Sequence, residues 1–233
     1  MSRFTTEAII LHSIDFSESD KIICALTRDK GIINAIAKGA KRSKIRFPGT
    51  LEPFCQVTMD VFLKREGELH RLESAQLSHA HLGIREDLDL LAHSTVLLEL
   101  IKEHLGQLDP SPATFDHLQC ALDAMEPDRQ WFSVWSVSLL SILSSLGYGI
   151  DLDAQNKSSA RGAGGQNTLS REANMFLVNA SRLERDVLQR LSVNPLLKRE
   201  IAGFLLAVCN HITDKRLKSA CFLAKLLDFN PNQ

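Results

Sequence analysis

The sequence predicts an α+β fold: a small closed β-barrel followed by an all-helical domain. Two observations carry the prediction. Up to about residue 79, apolar residues recur at every second position in short runs separated by turn residues. Beyond it the apolar spacing lengthens to three and four, the period of an amphipathic helix. The expected boundary gives a barrel domain of residues 1–79 and a helical domain of residues 80–233.

In the first part, Ala8-Ile9-Ile10-Leu11 and Lys21–Thr27 are β-favouring runs on either side of the polar turn Asp15–Asp20. After Asp29-Lys30-Gly31, residues Ile33, Ala35 and Ala37 alternate. Cys55, Val57, Met59, Val61 and Leu63 alternate strictly, and Gly67 leads into a last run, Glu68–Leu77. Five short strands punctuated by turns close more readily into a barrel than they extend as a flat sheet.

In the second part, Leu88, Leu91, Leu98, Ile101 and Leu105 fit a first helix pair, and Phe115, Leu118 and Leu122 fit a further helix ended by Pro127. Trp131–Ile150 is twenty residues without a charge, long enough to raise a membrane span. Projected at 100° per residue, Trp131, Phe132, Trp135, Leu139, Ile142, Leu143 and Leu146 gather on one side and Ser133, Ser138, Ser141, Ser144 and Ser145 on the other. Serine facing lipid gains nothing, so the expectation is a helix deep in a bundle, with Trp131 and Trp135 in the core and Gly147 ending it. Asp153–Thr168 has three glycines and no large apolar residue, and reads as a flexible excursion. Met175–Leu191 and Leu196–Asn210 are again helical, the second announced by Asn194-Pro195, and a last helix covers Leu217–Leu227.

Hydrophobic residues make up 44% and charged residues 24% of the 233, the balance of an ordinary globular protein with an adequate core. The net charge of −1 hides a partition of +2 for residues 1–80, −9 for 81–153 and +6 for 154–233. Five widely spaced cysteines without a CxxC pair favour buried free thiols in a reducing cytosol over a disulfide framework or a zinc site. Met1–Glu7 shows no signal-peptide pattern, so a cytoplasmic protein is expected.

The most informative stretch is Lys38-Gly39-Ala40-Lys41-Arg42-Ser43-Lys44-Ile45-Arg46, five cations in nine residues, between the third and fourth strands. From Lys30 to Leu51 there are six Lys/Arg and no acid, so the run points to a polyanion. Lys38, Lys41, Arg42, Lys44 and Arg46 are the candidate phosphate contacts, with glycine and alanine between them to let the backbone approach a ligand. Phe47 either stacks on a base or anchors the loop under the barrel. Lys64 and Arg65 either extend the track or form a solvated hairpin tip. Lys215, Arg216 and Lys218 form a second cationic group before the last helix, useful to a protein that must hold two strands. His79-Ala80-His81 lacks a third ligand and reads as an exposed connector. The sequence has no GxGxxG, GxxxxGK[ST], HExxH or GxSxG pattern, so no enzyme class is indicated. The remaining alternative is a protein–protein adaptor whose acidic middle block faces a basic partner.

Six short segments then carry a family resemblance: Glu7–Leu11, Glu18-Ser19-Asp20-Lys21, Ala37–Arg42, Leu51-Glu52-Pro53-Phe54, Leu146-Gly147-Tyr148-Gly149 and Arg216-Leu217-Lys218-Ser219. In order and spacing they resemble the RecO family of bacterial recombination and DNA repair proteins, over nearly the whole chain. The resemblance implies an N-terminal OB-fold and a helical domain. It also implies binding of single- and double-stranded DNA, annealing of complementary strands, and no catalysis. It further implies help in loading the recombinase RecA onto strands covered by single-strand-binding protein, with RecR as partner, in the bacterial cytoplasm at the nucleoid. Many family members carry a four-cysteine zinc module after the Leu-Gly-Tyr motif; here Asp153–Thr168 holds no cysteine, so no cofactor is expected. Ser136, Val137 and Ser138 stand where zinc-free relatives place an aromatic and basic residues near the pocket for the acidic tail of single-strand-binding protein, so that site is not carried over.

Overall fold

A computed structural model describes residues 2–43, 45–65, 69–125, 129–152, 169–213 and 215–227. Lys44 and the 153–168 excursion lie outside them. The chain divides into two compact units, one of Met1–Leu82 with Ile101–Gln119, the other of Gly83–Leu100 with Cys120–Gln233.

The first unit is built on five strands: β1 (Ser2–Asp15), β2 (Lys21–Thr27), β3 (Gly31–Ala37), β4 (Gln56–Leu63) and β5 (His70–His79). They close in the order β1-β2-β3-β5-β4, with β4 returning to β1. Every pairing is antiparallel except β3 with β5, where Ala35, Ile36 and Ala37 lie opposite His70, Arg71 and Leu72. This is the five-stranded Greek-key barrel of an OB-fold. At 14 residues, β1 is much longer than its apolar centre suggests, because it serves two partners in turn. Ser2–Ile9 pair with β4 and Ala8–Asp15 with β2, with the register shift of a bulge between Ile10 and His12.

Inside the barrel, small and large side chains alternate. Ala8, Ala25, Ala35, Ala37 and Ala75 interleave with Ile10, Ile23, Ile33, Met59, Val61 and Leu72, as a narrow barrel requires. One further group seals this core from outside the strands: Phe47, Leu51 and Cys55, from the segment that joins β3 to β4. The basic loop is therefore pinned by its own apolar residues. Gly31 also has a steric reason, since its φ is +67° and an added Cβ would lie 2.0 Å from the carbonyl oxygen of Asp109.

Eight helices are described: α1 (Leu82–Glu86), α2 (Leu88–His104), α3 (Pro112–Ala124), α4 (Trp131–Ser145), α5 (Arg171–Ala180), α6 (Arg185–Leu188), α7 (Pro195–Ile212) and α8 (Lys218–Leu226). The single helix expected over Met175–Leu191 is two, because Ser181–Glu184 offers only Leu183 as an apolar residue and leaves no face to bury. Leu88, expected to pack, is exposed at the start of α2, whose core residues are Leu90, Val96, Leu97, Leu100 and Ile101. α7 starts as the sequence suggests: Asn194 caps it by accepting from the Leu197 amide at 2.8 Å, with Pro195 in the first turn.

α4 packs against α5, α6 and α7. Trp135 is fully buried and its indole N–H donates to the His93 carbonyl at 2.8 Å, while Trp131 is half-buried. Ser133 is buried and donates to the Leu191 carbonyl at 2.9 Å, so this serine admits the segment that precedes α7, whereas Ser144 faces solvent. No described helix is long and apolar enough to cross a membrane.

Candidate nucleic-acid interface

The basic segment leaves β3 through a series of tight turns. Arg42 and Ser43 amides both donate to the Gly39 carbonyl, at 3.1 and 3.0 Å, and Gly39 itself sits at φ +70°. The Phe47 amide returns to the Ser43 carbonyl at 3.3 Å, and the Arg46 carbonyl accepts from the Ala75 amide of β5 at 3.0 Å. Lys38, Lys41, Arg42 and Arg46 thus sit on a wound loop anchored by backbone hydrogen bonds.

The loop is also fastened to the β1–β2 turn. Asp20 accepts from the Gly39 amide at 2.8 Å, the Lys41 amide donates to the Ser19 carbonyl at 3.0 Å, and Lys41 Nζ donates to the Ser17 carbonyl at 2.8 Å. The Gly39 amide, with help from the Ser19 hydroxyl, holds the Asp20 carboxyl below its usual range. Lys41 Nζ also lies 2.8 Å from Asp15, and that hydrogen bond lowers the Asp15 pKa. Lys21 bridges Asp15 at 3.5 Å and Glu52 at 3.0 Å; burial opposes its charge, but the two carboxylates outweigh burial and raise its pKa. Three of the segments that carried the resemblance, 18–21, 37–42 and 51–54, therefore meet at one end of the barrel. Between them lies a cavity of about 250 Å³ lined by Lys21, Lys41, Ser43, Phe47, Leu51 and Glu52 among others.

The cations consequently differ. Lys38 is exposed, Arg42 is exposed with a long 3.9 Å approach to Glu18 among the described residues, and Lys41 is paired with Asp15. Arg46 is exposed but donates to the Lys38 carbonyl at 2.8 Å and lies over the Phe47 ring at 5.2 Å. Asp15, Glu18, Asp20 and Glu52 are the residues that sequence reasoning missed. They come from the β1–β2 turn and from beyond the loop, and counting charges along one run does not find them. The signal that was available is Glu18-Ser19-Asp20-Lys21, a polar turn whose carboxylates demand partners.

Phe47 needs a correction. It is 5% exposed and belongs to the barrel core, so its ring is not presented to a base and the anchor role is the one the fold gives it. Lys64 and Arg65 follow β4, whose last residue, Leu63, pairs with Ser2 at the start of β1; the basic loop is tied to residues 15–19 at the other end of that strand. The two groups stand at opposite ends of β1. Lys215, Arg216 and Lys218 are exposed in the second unit, where Leu217 is buried between them. There Glu99 accepts from the Lys218 and Ser219 amides, at 3.1 and 2.7 Å, and from the Ser219 hydroxyl, capping α8. The 79–81 connector is a second correction: His81 is buried, stacks on His79 with ring centroids 4.1 Å apart, and accepts from the Gln56 amide at 2.8 Å. Its neighbour in the barrel wall, rather than solvent, sets its environment.

Comparison with known proteins bears on this arrangement. The family model for the recombination protein O N terminal matches residues 1–81, and that for the recombination protein O C terminal matches residues 85–220. The chain belongs to the recombination protein O family. A Geobacter metallireducens relative named DNA repair protein RecO is 36% identical over 159 residues, covering 66% of this chain and 62% of that protein. Its Myxococcus xanthus namesake is 34% identical over 126 residues, 54% of this chain and 51% of that protein. A Salinibacter ruber DNA repair protein RecO aligns further, 25% identical over 219 residues, 86% and 84% of the two chains. The aligned stretches in the first two thus span half to three-fifths of those relatives' lengths.

Proposed function

We propose that this chain is a non-enzymatic DNA-binding mediator of recombinational repair. In this reading it binds single- and double-stranded DNA, anneals complementary strands, and helps load RecA onto strands held by single-strand-binding protein, with RecR as partner. It acts in the cytoplasm, where those partners are. The observation that carries the reading is the anchored loop with Lys38, Arg42 and Arg46 exposed on the end of an OB barrel. An OB barrel offers a cationic groove for a strand, and a loop held by backbone hydrogen bonds loses little entropy on binding phosphate. Family membership supports the repair role, and the relatives' names point the same way.

The phosphate contacts fall on Lys38, Arg42 and Arg46 first. Lys41 acts mainly as a tether, because its ammonium is already matched by Asp15. Lys44 belongs to the same run, Lys64 and Arg65 to a separate patch, and Lys215, Arg216 and Lys218 to a second-strand site. Fluorescence anisotropy with a labelled single strand across salt concentrations tests this. Log affinity should fall linearly with log salt, and Lys38→Ala with Arg42→Ala should flatten that slope by about 0.7 per lost phosphate contact. An unchanged slope and affinity in the double variant would remove the loop from the interface.

A further inference from the structure

We infer that Phe16, in the β1–β2 turn, is the base-stacking platform beside the cationic loop, an inference that rests on the DNA-binding reading above. The residue is 61% exposed. A single exposed apolar residue is ordinary on a protein surface and by itself says nothing. What distinguishes Phe16 is how its neighbours are held. The preceding residue, Asp15, pairs with Lys41 at 2.8 Å, and the following residue, Ser17, gives its carbonyl to the same ammonium at 2.8 Å.

The turn is closed on its other side too. The Phe16 amide donates to the Asp20 carbonyl at 3.0 Å, and the Ser17 hydroxyl accepts from the Asp20 amide at 3.1 Å. Asp20 in turn takes the Gly39 amide of the cationic loop. Lys41 and Asp20 thus fasten the turn and the loop together, and Phe16 stands exposed on that unit, outside the barrel core cluster. Arg42 of the loop lies 3.9 Å from Glu18, two residues after Phe16 in the turn, and Ile45 on the same loop is 93% exposed.

A polynucleotide needs two things from a sequence-tolerant site: positive charge for its backbone and a flat apolar face for a base. Here both project from one hydrogen-bonded unit, so a strand whose phosphates meet Lys38 and Arg42 has an aromatic face within the same rigid element. Turn residues between the first two strands are a regular ligand-facing position of this barrel. The expected ligand is an unpaired nucleotide, since a base inside a duplex has no free face to offer.

The test uses the full chain with Phe16→Ala and Phe16→Trp, a labelled oligo-dT and a duplex of the same length. Phe16→Ala should weaken oligo-dT binding by about tenfold or more, leave duplex affinity within about twofold, and leave the salt slope unchanged. Phe16→Trp should keep wild-type affinity, and oligo-dT should quench its added indole fluorescence. If Phe16→Ala binds oligo-dT like wild type while Lys38→Ala with Arg42→Ala does not, the stacking role falls and the DNA reading stands. Equal losses on oligo-dT and duplex would also overturn it, because the ring would then only position the loop. If wild type fails to bind oligo-dT at low salt, both fall.

Discussion

Acidification should destabilise the helical unit through one buried residue, His93. The ring lies in α2, is 2% exposed, and is enclosed by Trp131, Phe132 and Trp135 at centroid distances of 4.8, 5.8 and 4.7 Å. Its Nδ1 is 2.7 Å from the Asp89 carbonyl, which makes that nitrogen the donor, and its Nε2 has no partner among the described residues. Burial pushes its pKa down to about 4, with Lys198 of α7 acting in the same direction and the Asp89 carbonyl and Asp87 opposing. In the unfolded chain the ring titrates near 6.5, so between pH 6.5 and 4 the unfolded state binds more protons than the folded one. Stability contributed by the neutral ring is complete above pH 6.5 and is lost as pH falls toward 4. At 1.36 kcal/mol per pH unit over this span, the loss is about 3 kcal/mol.

The chain has two tryptophans, both against this ring, so intrinsic fluorescence reports its surroundings directly. Urea unfolding of wild type and His93→Leu at pH 7, 5.5 and 4 separates the titration from any general acid effect. The stability difference between the two should shift by about 3 kcal/mol in favour of the leucine variant across that range. A difference that stays constant with pH would refute the argument.

Other substitutions test the fold that presents the site. Gly31→Ala should destabilise by well over 1 kcal/mol in urea unfolding, because its Cβ would meet the Asp109 carbonyl oxygen at 2.0 Å, whereas Gly49→Ala, at φ +69° with no atom within 4 Å, should cost only about 1 kcal/mol. Phe47→Ala should lose about 3–5 kcal/mol of stability as a core truncation, and Phe47→Leu should retain most stability and wild-type oligo-dT affinity; a folded Phe47→Leu that no longer bound oligo-dT would contradict the anchor assignment. Glu99→Gln should cost about 1 kcal/mol by weakening the cap on α8, read as earlier loss of amide exchange protection at Lys218 and Ser219.

Much of the architecture was legible because the local signals agreed with the global fold. Strict alternation from Cys55 to Leu63 gave β4, and the Asn194-Pro195 start gave α7, each from a property that neighbouring residues carry alone. The segments that resembled a family had structural reasons of the same kind: Asp20 caps the cationic loop, Gly147 takes φ +88° after α4, and Ser219 receives the Glu99 cap. The length of β1 was not legible, since it depends on serving two partner strands, and neither was the break at Ser181–Glu184. The candidate site was half legible. A run of cations is visible along the chain, but Asp15 and Glu52 reach it only through folding, where Asp15 pairs with Lys41 and Glu52 with Lys21. The burial of Phe47 and the exposure of Phe16 have the same origin. Both are aromatic and close to charge in sequence, and only the closed barrel decides which one it swallows.

The most direct test of the proposed role is annealing. Two complementary labelled strands, mixed with and without the full chain at moderate salt, report duplex formation by energy transfer. The account predicts faster annealing with wild type, reduced by Lys38→Ala with Arg42→Ala and lost at high salt. Strands that anneal no faster with wild type than without it, while the protein is folded, would contradict it and leave the adaptor reading in its place.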